Sequence, residues 1–115
     1  MSSPLPNYLR AQRKRLALSQ AEVAFLLGVE SSAKVSRYEC FGREPNLHNA
    51  LAFEVIFQRS VNELFAGMYR ATERKVAARA RLLLRRIAHQ KASRANTRKQ
   101  NLLSLISLSS SPKRS

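Results

Sequence analysis

Residues 18–28 read LSQAEVAFLLG, a stretch that opens and closes one short helix without help from its neighbours. Ser19 stands at the N-cap with Glu22 three residues on, a capping box, and Leu18 before the cap can staple to Val23 after it. Gly28 supplies the turn. The spacing predicts a helix from about Gln20 to Leu27. An isolated helix this short is not stable in water, so the stretch restricts the chain to a fold in which short helices share one core.

The rest of the sequence fits that restriction. NYLRAQRKRLAL predicts a first helix with Tyr8, Leu9, Leu16, Ala11 and Gln12 around it and Arg10, Arg13, Lys14 and Arg15 mostly outward. A third helix is expected from Ser32 to Cys40, with Val35 and Tyr38 as its inward pair and Gly42 as its stop. Asn46 caps a fourth helix over residues 47–57, expected to bury Leu47, Ala50, Leu51, Val55 and Ile56. Ser60 and Glu63 repeat the capping box for a short fifth helix carrying Val61, Leu64 and Phe65, with Gly67 as terminator. From Met68 to His89 there is no Pro or Gly, and Tyr69, Val76, Ala80, Leu83 and Ile87 fall at near a/d spacing, which predicts a basic amphipathic sixth helix over residues 68–92. Residues 93–115 read as a basic, flexible tail in which LLSLISL is a brief apolar or packing segment and SSSPKRS is disordered. Strand-like alternation is nowhere sustained, so the fold class is all-α.

Charge divides the chain more sharply than hydropathy does. The formal net charge is +14; residues 1–66 hold eight Lys and Arg against six Glu, whereas residues 67–115 hold thirteen against Glu73 alone. One-signed charge of this kind points to a polyanion, nucleic acid first, with an anionic membrane or an acidic protein behind it. Cys40 is alone and builds no disulfide, no Cys/His spacing suits a metal, and no apolar run approaches the ~18 residues of a membrane span. A cytoplasmic, nucleoid-associated protein is expected. The chain has no Asp, and His48 and His89 are isolated, so neither catalysis nor a cofactor is expected. His48 reads as an exposed first-turn residue and Cys40 as a small apolar filler.

LSQAEVAFLLGV followed by VSRYE, within five helices closed by SVNELF, resembles the Cro and phage-repressor type of helix-turn-helix regulator, the XRE-like family. The resemblance spans residues 8–67 and implies a five-helix, lambda-repressor-like DNA-binding domain over residues 1–67. Ala24 is small where two helices cross, Gly28 permits the turn, and Val35 plugs the space between the helices. One departure stands out: VESSAK puts six residues between Gly28 and Val35 where the family has five. Without an added turn residue Lys34 would occupy the plug, at several kcal/mol for a buried unpaired ammonium. The extra residue is therefore placed in VESSA, ahead of the third helix, with Ser31 or Ser32 as its cap.

By that resemblance Ser32, Ala33, Lys34 and Arg37 face the major groove of duplex DNA, with Ser31 at the rim and Ser36 nearby, while Gln20 braces or meets phosphate and Arg43 lies over the backbone. Lys34 and Arg37 can donate to guanine or phosphate, and Ala33 can touch a thymine methyl. An Arg late in the first helix paired with a Glu ending the recognition helix is common in the family, and Arg13 and Glu39 stand at those positions. The implied function is a sequence-specific transcriptional regulator, a repressor by default, acting as a homodimer on two half-sites. Two rivals are an antitoxin whose tail holds a protein partner, and an architectural protein binding nucleic acid without sequence preference. The apolar seam of the sixth helix is expected either to pair with a second copy or to dock on the first domain, and its arginines to track phosphate.

Overall fold

Side-chain caps at Ser19, Asn46 and Ser60 start helices, and residues with positive φ at Ala17, Gly28, Phe41 and Gln58 end them. The computed structural model describes residues 4–109. Among these there are seven helices and no strand: α1 (Leu9–Arg15), α2 (Gln20–Leu27), α3 (Ser32–Glu39), α4 (Leu47–Phe57), α5 (Val61–Leu64), α6 (Ala66–Ala88) and α7 (Arg94–Ser109). The chain divides into two compact units, one ending at Met68 and one beginning at Tyr69. No helix of the described residues is long and apolar enough to cross a membrane.

The first unit packs α1 to α5 around Leu9, Val23, Ala24, Val35, Tyr38, Phe53, Phe57, Leu64 and Phe65. Three rings of this core meet on Phe53, which lies edge-on to Tyr38 and Phe65 and stacked on Phe57. Both capping boxes form in full, at Ser19 with Glu22 and at Ser60 with Glu63. The chain before α1 is tied to the far end of the unit by backbone bonds, from the Tyr8 N–H to the Leu64 carbonyl (2.7 Å) and from the Gly67 N–H to the Leu5 carbonyl (2.9 Å).

That crossing corrects the reading of Gly67. It sits in the first turn of α6 and terminates nothing; a Cβ there would collide with the Leu5 carbonyl. Glycine is needed for close approach of two backbones. Gly42 is likewise not the left-handed stop of α3. Phe41 takes that conformation (φ 66°), and the Phe41 and Gly42 N–H groups bond back to Tyr38 and Arg37 as a Schellman motif.

The face that α4 buries also differs from expectation. Phe53 and Phe57 are buried and Ala50 and Ile56 partly so, whereas Leu47, Leu51 and Val55 are 71%, 47% and 68% exposed. This helix is apolar nearly all round, so periodicity did not select a face; the two phenylalanines, bringing the most area, went inward. In α1 only Leu9 is buried, with Ala11 and Leu16 exposed. Cys40 is exposed and fills no space in the core.

The second unit pairs α6 with α7 through Ala80, Ile87 and Leu103, with Leu84 and Ile106 packed alongside. The buried positions of α6 are Ala77, Ala80 and Ile87, so two of the five expected seam residues are covered, while Tyr69, Val76 and Leu83 are exposed. The tail from residue 93 is helical where flexibility was expected. Ser93 caps α7 by accepting from the Asn96 N–H (3.0 Å), and Leu103 gives the helix an apolar partner on α6. Of the SSSPKRS segment, Ser109 ends α7 and residues 110–115 lie outside the described residues.

Candidate nucleic-acid interface

In α3, eight residues sort by helical period into an inner and an outer face. Val35, Tyr38 and Glu39 are buried; Ala33 and Arg37, four residues apart, are exposed opposite them, with Lys34, Ser32 and Ser36 half-buried at the flanks. The turn runs from Gly28 to Ser31, and α3 starts after it at Ser32. Val35 therefore reaches zero exposure beside Val23 and Ala24, and Lys34 stays out of the core.

Ser31 occupies the N-cap of α3 in extended conformation, yet its side chain makes no cap hydrogen bond. The Lys34 N–H bonds back to the Ser31 carbonyl (3.3 Å), and the Ser32 and Ala33 N–H groups ahead of it have no carbonyl within the helix to reach, so this end offers a serine hydroxyl, two backbone donors and the positive end of the helix dipole together. Arg43 is exposed beyond the far end of α3, and Glu30 and Glu44, also exposed, are the acidic residues of the two flanking loops. The cations Lys34, Arg37 and Arg43 carry the attraction for an anion here.

What holds this helix is a buried polar network. Glu39, only 3% exposed at its side chain, accepts from Arg13 Nε and Nη2 and from Gln20 Nε2 (3.0 Å), while Arg13 Nη1 donates to the Leu18 carbonyl (3.0 Å). Glu39 and Arg13 together thus join α1, the turn before α2, the start of α2 and the end of α3. The hydrogen bond to Glu39 raises the Arg13 guanidinium above its ordinary value, against the opposing effect of burial. Its charge is permanent.

Gln20 is consequently a brace, half-buried and turned to Glu39. Ser31, Ser32, Ala33, Lys34, Ser36 and Arg37 lie together around the outer face and N-terminus of α3, with Arg43 apart in the following loop. Sequence reading missed Asn7. Its amide, 5% exposed, donates to the Tyr38 carbonyl (2.9 Å) and accepts from the Leu9 N–H (3.1 Å), pinning the C-terminal turn of α3 to the chain before α1. No local signal marks such a residue, because its partner is 31 positions away. Asn49, which donates to the Tyr38 hydroxyl (3.0 Å), was missed for the same reason.

Comparison with protein-family models, curated proteins and solved structures finds no match for the chain.

Proposed function

We propose that the chain is a sequence-specific duplex-DNA-binding regulator of the Cro and phage-repressor kind, a repressor by default, that reads the major groove with α3 and binds without catalysing a reaction. The observation that carries this reading is the sorting of α3: Val35, Tyr38 and Glu39 turn inward, Ala33 and Arg37 turn toward solvent, and Ser32, Lys34 and Ser36 lie half-exposed at the flanks. A B-form major groove, about 12 Å wide, admits one helix. Arg37 suits the O6 and N7 acceptors of guanine, Lys34 a guanine or a phosphate, and Ala33 a thymine methyl. The Ser32 and Ala33 N–H groups at the start of α3 suit a phosphate oxygen, a contact that would fix the helix against the DNA backbone.

A single module of this size reads few base pairs, so two copies acting on half-sites about one helical turn apart are part of the proposal. Selection of bound duplexes from a random pool tests it. The full chain should enrich a two-fold symmetric site, and Lys34→Ala or Arg37→Ala should relax the preference by about 1–3 kcal/mol at one position in each half-site. Failure to enrich any sequence, or variants with the wild-type preference, would sink the reading.

A further inference from the structure

Between Tyr69 and Ser109 the chain carries eleven Lys and Arg, eight of them Arg, and Glu73 as its one acid. All eleven side chains are exposed, and among the described residues none forms an ion pair. At about 100° per residue, Arg70, Arg74, Arg81 and Arg85 fall within about 60° of the circumference of α6. Lys75, Arg79 and Arg86 form a second stripe about 130° further round the helix, so that the two stripes flank the face opposite Ala80 and Ile87. Arg81 also donates to the Ser107 carbonyl of α7 (3.3 Å). Together with the apolar packing of Leu103, this bond holds the two helices as a hairpin.

We infer that the α6–α7 hairpin is a second nucleic-acid surface, one that binds the phosphate backbone of duplex DNA regardless of sequence. The inference does not depend on the role given to α3. The first stripe runs about 22 Å along its helix, and duplex DNA presents one negative charge per about 1.7 Å of axis, so each arginine of the stripe has a phosphate within reach. Guanidinium groups fit phosphate oxygens in pairs. Tyr69 is the one aromatic residue after Met68, which favours a duplex over single strands, whose bases require stacking partners. The same shortage of aromatics, with no Trp or Phe in the unit, favours a duplex over a lipid interface.

The test is a salt titration of the full chain against a random-sequence duplex, reading the slope of log affinity on log salt. Arg70→Gln, Arg74→Gln and Arg85→Gln combined, leaving Arg81 to hold α7, should flatten the slope by about 0.9 for each phosphate no longer neutralised, or about 2.7 for three. The corresponding triple Lys variant should keep the wild-type slope. Circular dichroism verifies that both remain helical. The Gln variant should leave the ratio of selected-site to random-duplex affinity unchanged, whereas Arg37→Ala should collapse that ratio and leave most of the slope. A wild-type slope in the Gln variant overturns the inference, as does binding to phosphatidylserine vesicles without binding to the random duplex.

Discussion

Glu39 gathers three donor hydrogen bonds from two side chains while almost wholly removed from water, and Arg13 is the one that brings charge. Arg13→Ala should therefore destabilise the first unit by about 3 kcal/mol, the low end for breaking a buried pair, since the outer edge of Arg13 keeps some water. Glu39→Gln in the same chain should recover part of this loss by removing the stranded charge. Urea denaturation of both variants checks it, and a loss below about 1 kcal/mol for Arg13→Ala would show the pair to be solvated in effect. Phe41 makes the opposite case. It holds a left-handed conformation that a Cβ disfavours, with its ring half-exposed. Phe41→Gly should raise stability by about 0.5 kcal/mol, the backbone relief outweighing the partial burial and the chain entropy that are lost. A lower denaturation midpoint would contradict this. Arg13 and Glu39 were legible as a pair through the family resemblance alone, whereas the strain at Phe41 was hidden because Gly42 beside it looked like the natural stop.

At the scale of elements, α2, α3 and α5 were the most legible, each bounded by a capping serine or a turn signal and, in α3, with one polar and one apolar side. The two faces of α3 were legible for the same reason: once Val35 points inward, the positions of Ala33, Lys34 and Arg37 follow from the helical period. Helices α4 and α6 were legible in extent and not in orientation. α7 was missed outright, since its cap at Ser93 is a single residue in a polar run and its apolar face is short. Leu103 is its anchor, 8% exposed between the two helices. Leu103→Ala should cost the hairpin about 2 kcal/mol. Hydrogen exchange should show the loss as reduced amide protection over residues 94–109 while α4 keeps its own, because the two cores share no residue. Equal loss of protection in α4 would mean that the two cores melt as one.

Across the whole molecule, charge and packing follow different divisions of labour. The unit that buries the larger apolar core is nearly balanced in charge, and the unit with the small core holds most of the cations. A hairpin with little apolar area to bury leaves most of its helix surface to solvent, where cations cost nothing in desolvation. The sequence by itself determined where the first five helices lie, which face of α3 is polar, and which half of the chain attracts anions, because caps, turn residues and net charge act over a few residues or simply add. Only the tertiary structure decided which side of α4 is covered, that Gln20 serves Glu39, that Asn7 holds the end of α3, and that residues 94–109 form a helix. Each of those depends on a surface supplied from elsewhere in the chain, and a helix with apolar or polar groups on every side has no preferred face until that surface arrives.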